Sequence, residues 1–518
     1  MGSKARTALR FYLMVLFVLL PLFYSDGYHQ IGEDKFHIWL WGSIAFFMLL
    51  SVCGAETLMR EGLPQLTDVR QMAERFSATD RAVLIYSGMT LVSWLFSPYR
   101  KDLFMGEPGW HMGLVIRLLS VAAYFAVSRL LFYEEDKPLL EKMFICTALV
   151  FFYGILNRFG CRPLPMGGSS EEFIGTIGNV DWFAGFYSVT FPVGVYAFLQ
   201  TRQRSKLRLL SLYLLIGFSF GLVCGAQSCF LVLAMLLYLS FCISFLSNGR
   251  FRRFLQLLNL FICALWLMRI LRLILPFDHE TDDVLDFFTR PWPMGNNLFW
   301  IFIAVLVIAL NCVFPRIFPG RSFRIAEHRK VRSILSITLV SLAVLYLIVI
   351  LIRGRNPEFM GFLGEGSLFA LNDAYGSSRG LIWRGSLGMF GEMGLFRKLI
   401  GVGPDGFSSF LYNGYSRAAE IVAPFDGARL TNGHNIFITE LVNIGLLGLL
   451  SLLFLMRTFI RSQKRLFRKD PALPVFLFPV CAYLVYGLLN FDMVMNYPYL
   501  FIMMGAGEAM MRGQTESL

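Results

Sequence analysis

Residues 333–352 read SILSITLVSLAVLYLIVILI, an uncharged stretch bounded by Arg332 and Arg353. About 20 apolar residues in helical form cover the hydrocarbon core of a bilayer, with roughly 17 to 25 the working range. The stretch therefore reads as a membrane helix. Working outward, comparable runs fall at about 11–24, 37–53, 82–97, 111–132, 143–157, 181–199, 209–224, 229–247, 254–276, 295–314, 434–456, 470–490 and 498–510. With 333–352 these make 14 runs totalling 258 residues, about 18 each. The composition agrees: 16% of the 518 residues are charged, against about 25% in an average soluble protein. Hydrophobic residues make up 56%, with 52 Phe, and the mean hydropathy is +0.59. These values exclude a disordered chain, a disulfide-stapled secreted domain and an ordinary soluble enzyme. The expected fold is an all-α polytopic membrane protein of about 12–14 transmembrane helices, one integral membrane domain over residues 1–518.

The nine cysteines lie mostly inside apolar runs, with no CxxC pair and no His/Cys cluster at ligand spacing. Neither a disulfide framework nor a zinc site is expected, and no cofactor is implied. The net charge of +12 fits basic cytoplasmic loops better than nucleic acid, for which no motif is present. With residues 1–10 inside, the inner segments carry 29 Lys/Arg in 102 residues and the short outer loops carry 6 in 77. Cytoplasmic loops are enriched in these residues, so both termini are expected in the cytoplasm. The first run lacks a small-residue cleavage site and is expected to remain as a helix.

One connection breaks the pattern. Residues 353–433 form an 81-residue outer segment, far longer than helix connections usually are. Its aromatics, among them Phe359, Trp383, Phe390, Phe407 and Tyr412, argue for short amphipathic helices on the membrane surface. Arg379, Trp383 and Phe390 share one helical face. The segment ends Asn432-Gly433-His434-Asn435, followed after nine residues by Gly445 and Gly448. His434 enters a helix at its positive end, which disfavours imidazolium and leaves a neutral ring able to accept a proton. A lone interfacial His is ordinarily an anchor. Here Arg379 and Arg384, cations suited to phosphate oxygens, precede it, together with the glycine-rich Gly401-Val402-Gly403-Pro404-Asp405-Gly406, whose amides would be open to a large ligand.

His434-Asn435 with Gly445 and Gly448 resembles the signature of the bacterial O-antigen ligase and O-antigen polymerase (Wzy-type) superfamily. Arg379 with Trp383 and then Gly401-Val402-Gly403 is similar to the loop motif before it. Gly175-Thr176-Ile177-Gly178-Asn179-Val180-Asp181-Trp182 with Pro192 resembles an earlier helix start of the family, and Gly106 and Gly113 its outer-loop glycines. The match runs from about residue 80 to 500. The resemblance implies a GT-C-like membrane glycosyltransferase in the bacterial cytoplasmic (inner) membrane. Its donor would be an undecaprenyl-diphosphate-linked oligosaccharide at the outer face, with the 353–433 segment part of the active site. Neither metal nor nucleotide sugar would be used. His434 would be the general base and Arg379 the diphosphate clamp, with Arg384 a weaker second cation. Asn435, Asn179, Asp181 and Ser228 fall on motif positions facing the substrate. Membrane lipid, a chain-length regulator and a flippase are the partners such an enzyme would meet.

The chain departs from the family where an Arg commonly follows Ser228, because Cys229 stands there. Arg117, Arg269 and Arg272 are candidates to replace it, since a charge inside a span is costly and tends to be functional; snorkelling toward headgroups is the alternative. His111 is a further candidate contact. Glu440 and Asn443 are expected to share a buried hydrogen bond, and Asp492 either to orient His434, to touch acceptor sugar or to cap a helix. The extra spans favour a polymerase over a ligase. A flippase or secondary transporter is the reading from another class, weakened by the absence of repeat symmetry between halves. A metal-dependent transferase would have only Glu33-Asp34 to offer.

Overall fold

The computed structural model describes residues 2–61, 76–167, 172–278, 283–290, 296–317, 329–359, 370–425, 427–471 and 474–516. Among them the strand content is one minimal hairpin, Phe173–Ile174 against Gly178–Asn179, with Phe173 opposite Asn179. The rest of the regular secondary structure is helical. Ten of the described helices are long and apolar enough to cross a membrane: Ser3–Leu22, Ile31–Arg60, Glu135–Arg158, Val180–Gln200, Arg204–Val223, Gln227–Ser244, Asn248–Ile274, Asn296–Val313, Arg332–Arg355 and Gly445–Lys469. The four other expected runs are also helices, Ala78–Leu95, Leu114–Leu130, Leu477–Tyr486 and Tyr497–Glu516. Leu477–Tyr486 has ten residues, about 15 Å at helical rise, and does not cross by itself.

Burial grades from the centre outward. Helix Val180–Gln200 has 94% of its apolar window buried and packs against Arg204–Val223, Gln227–Ser244 and Leu477–Tyr486. Rings fill these contacts, with Phe183 and Phe220 centred 4.1 Å apart and Phe191 edge-on to Phe218 at 5.3 Å. At the other extreme, Arg332–Arg355 has 6% of its window buried at a mean hydropathy of 2.9. Lipid, rather than protein, covers that helix.

The run expected at 434–456 is two helices, Ile436–Asn443 and Gly445–Lys469. The break falls at Gly445, whose φ of +72° suits glycine alone. Its cause is a chain crossing: a Cβ on Gly401 would lie 2.2 Å from the Asn443 carbonyl oxygen, and one on Gly445 2.5 Å from the Gly401 nitrogen. The glycine-rich 401–406 stretch is thus a packing seam. Its amides at Val402 and Gly403 are spent on the Val442 and Asn443 carbonyls, at 3.2 and 2.8 Å. They are not open to a ligand, because the end of the short helix has unsatisfied carbonyls that need donors.

Helices Tyr375–Glu392, Leu395–Ile400, Phe407–Gly414 and Ala418–Val422 fill the described part of the long segment. They close over a core of their own, built from Ile382, Met389, Phe407, Leu411, Ile421 and Leu430. Ser97 Oγ donates to the Val402 carbonyl and Ser93 Oγ to that of Asn443, the latter at 2.9 Å. These bonds dock the small core onto the bundle.

Candidate functional site

The site is organised by a turn. Leu477–Tyr486 ends before residues 487–491, whose backbone carbonyls point outward unpaired by any helix. Two distant segments, at residues 435–436 and at Arg379, and the helix's own Tyr486 claim them. The Ile436 amide donates to Gly487 O at 2.8 Å, Asn435 Nδ2 to Leu488 O at 2.8 Å and Arg379 Nε to Leu489 O at 2.8 Å. The Tyr486 hydroxyl lies 3.0 Å from Phe491 O and 3.2 Å from the Asp181 carbonyl. Asn490 Nδ2 donates to Ser228 Oγ at 2.8 Å. The turn thereby gathers His434, Arg379, Asp181, Asn435 and Ser228, which are spread over more than 200 positions of the chain.

Arg379 is reached through a strained turn. Gly376, Ser377 and Ser378 have φ of 57°, 59° and 66°, a left-handed stretch that costs roughly 1–2 kcal/mol at each non-glycine residue. It aims the guanidinium at the hub: Nη1 donates to Gly376 O at 2.7 Å and Nη2 reaches Asp181 Oδ2 at 3.3 Å. Asp181 is held in the first turn of its helix by Asn179, whose Oδ1 accepts from the Asp181 amide at 2.8 Å. Asn179 is therefore an N-cap.

His434 is also left-handed, with φ +45°, secured by its amide donating to Asn432 Oδ1 at 2.9 Å. Asn435 caps the helix that follows, accepting from the Ile438 amide at 3.1 Å. The imidazole is half-buried, edge-on to Phe491 at 5.1 Å, and among the described residues its Nδ1 has no hydrogen-bond partner. Burial, and secondly the Arg379 charge, push its pKa down to about 4, while Asp181 opposes them. The ring is neutral at pH 7 as expected, chiefly through burial and Arg379.

The other expected cations stand elsewhere. Arg384 is exposed and paired with Asp373 at 2.7 Å. Arg269 donates to Phe288 O at 2.9 Å, and Arg272 to Asp286 at 3.1 Å, both holding helix Asp283–Thr289. Neither is brought to the hub. Arg117 lies buried against Glu440, Nη1 to Oε2 at 2.8 Å and Nη2 to Oε1 at 2.5 Å, with Nε on Met112 O at 3.0 Å. Glu440 thus takes Arg117 and Tyr86 as its partners, and Asn443 Oδ1 is left unpaired; the expected Glu440–Asn443 bond is absent because a charged partner outcompetes an amide. Asp492 accepts from the Tyr483 hydroxyl, and burial, reinforced by Glu440, pushes its carboxyl up to about 7. His111 stacks on Phe36 at 3.8 Å and bonds Glu33 at 2.8 Å. Cys229 is fully buried beside the Ser228 contact. Among the described residues no group of three His, Cys, Asp or Glu is placed to hold a metal.

Sequence reading passed over Asp405. Its Oδ2 accepts from the Glu107 and Met112 amides at 2.7 and 3.0 Å, tying the 106–113 loop to the glycine seam. Burial pushes this carboxyl up to about 7. A Gly-Pro-Asp-Gly string announces a turn, and nothing local says that its carboxylate serves a loop almost 300 residues earlier. The hub was equally hidden, since it consists of backbone carbonyls. No protein-family model matches the chain, and no curated protein matches it.

Proposed function

We propose that this protein is a membrane glycosyltransferase of the O-antigen polymerase type, acting on undecaprenyl-diphosphate-linked glycans at the outer face of the bacterial cytoplasmic membrane. The observation that carries the reading is the convergence of a neutral, unpartnered imidazole and an anchored guanidinium on one turn. Two of the Arg379 nitrogens are fixed by backbone carbonyls, which leaves Nη2 as the arm for an incoming anion. In the reaction the acceptor hydroxyl oxygen forms a bond to the donor's anomeric carbon while the bond from that carbon to the diphosphate oxygen breaks. The electron pair leaves with the diphosphate, where Arg379 neutralises the growing charge. His434 takes the hydroxyl proton. The remaining Arg candidates hold structural partners, so Arg379 is the principal cation of this reading.

Reconstitution tests it: the purified chain in liposomes receives the lipid-linked oligosaccharide alone, without nucleotide sugar or metal, beside His434→Ala. A glycan ladder that vanishes in the variant supports a polymerase. A single transfer that needs a core-sugar or lipid acceptor turns the reading to a ligase, and donor movement without new bonds turns it to a transporter.

A further inference from the structure

The hub contains a base with nothing to orient it and a clamp that is already occupied. His434 Nδ1 is buried without an acceptor among the described residues, whereas general bases of this kind are normally held by a third group on the second ring nitrogen. Arg379 carries two short bonds to carbonyls, at 2.7 and 2.8 Å, and one long bond to a carboxylate, at 3.3 Å. We propose that Asp181 is a positioning residue that changes partners: it neutralises Arg379 in the resting site, and turns to the His434 ring when an anionic phosphate takes the guanidinium. This inference rests on the glycosyltransferase reading given above.

Geometry supports the exchange. The Arg379–Asp181 contact is the one arm of the clamp that can be surrendered without loosening its anchor, and a charged N–H to a phosphate oxygen at its usual 2.7–2.9 Å is stronger than a bond of 3.3 Å. Asp181 is held through its backbone, by Asn179 on its amide and Tyr486 near its carbonyl, and among the described residues its carboxylate has that single hydrogen bond. The side chain is free to pivot on a fixed base. Of the charged groups around His434, Arg379 from helix Tyr375–Glu392 and Asp181 from helix Val180–Gln200 act on the ring, in opposite senses. Asp492, on the neighbouring 487–496 segment, is turned to Tyr483. Removing the Arg379 influence while freeing Asp181 makes the imidazole a better base at the moment the donor is seated, and leaves it a poor one before that.

The test uses the full chain in nanodiscs with 15N-labelled histidine, the His434 resonance assigned by its loss in His434→Ala. Saturating undecaprenyl diphosphate should raise the His434 pKa by about one unit or more in the parent protein. Most of the rise should be missing in Asp181→Asn and restored in Asp181→Glu. In turnover assays Asp181→Asn should lower kcat about 100-fold, leave the donor KM unchanged or reduced, and move the acid limb of the kcat profile to lower pH. An equal rise in Asp181→Asn, or an acid limb that stays in place while donor KM increases, overturns the exchange and makes Asp181 a structural counter-ion. Failure of the lipid to bind the parent protein at all refutes the glycosyltransferase reading instead.

Discussion

Among the arginine–carboxylate pairs that join distant parts of this chain, two are built differently. Arg117 and Glu440 meet through two bonds, are 3% and 1% exposed, and spend every remaining guanidinium arm on Met112 O and the Tyr86 hydroxyl. Arg379 and Asp181 meet through one bond of 3.3 Å at 10% and 16% exposure. The first pair is saturated and can do nothing except hold Leu114–Leu130 to Ile436–Asn443. The second is held by a single longer bond within reach of solvent, beside the His434 ring.

That contrast breaks most decisively at the open pair. His434→Ala should reduce transfer by about 10²–10⁴-fold with unaltered thermal unfolding, and Arg379→Ala should in addition weaken binding of the lipid diphosphate; retention of most activity by His434→Ala would remove the general base. At the closed pair the loss should appear in stability instead. Glu440→Ala strands a buried guanidinium and should cost about 3–5 kcal/mol, read as a collapse of folded yield, while the double replacement Arg117→Met/Glu440→Leu should recover most of it. If the single variant were fully stable, the pair would not be architectural.

Asp405 gives a smaller effect of the architectural kind. Asp405→Ala leaves the Glu107 and Met112 amides without their acceptor and should cost about 1–3 kcal/mol, whereas Asp405→Asn keeps an acceptor oxygen and should be mild. The pH dependence follows from burial. With its pKa raised to about 7, Asp405 keeps a proton in the folded chain that the unfolded chain releases near pH 4. Its contribution is full below that pH and is lost as pH rises toward 7. Stability of the parent relative to Asp405→Asn should therefore decline between about pH 4 and 7 in melting experiments; a flat difference would contradict the assignment. His434 works in the other sense, weakening the fold as pH falls from about 6.5 toward 4. Least affected of all should be Arg384→Ala, an exposed pair with Asp373, within about 1 kcal/mol in stability; a large loss of turnover there would restore Arg384 as a second clamp.

What was legible in the sequence was whatever depends on neighbours along the chain. Fourteen apolar runs became helices because hydrophobic length is a local sum, whereas Asn179 and Asn435, expected to face substrate, each cap a helix by bonding an amide two or three residues on. His434 could be singled out because a polar group at the start of an apolar run is conspicuous, and Arg379 as a cation preceding the glycine-rich stretch of the long loop. Their surroundings could not. Arg117, Arg269, Arg272 and Arg379 look alike in sequence, yet only the last is brought to the hub. Which carboxylate, hydroxyl or carbonyl satisfies a buried guanidinium is decided by competition among groups as far as 323 residues apart. The break at Gly445 likewise depends on Gly401 crossing it. Apolar length by itself determined the membrane fold, because transfer from water adds up residue by residue. The tertiary structure alone decided the site, because hydrogen-bond and ion-pair partners are exclusive, and choosing one leaves another atom free.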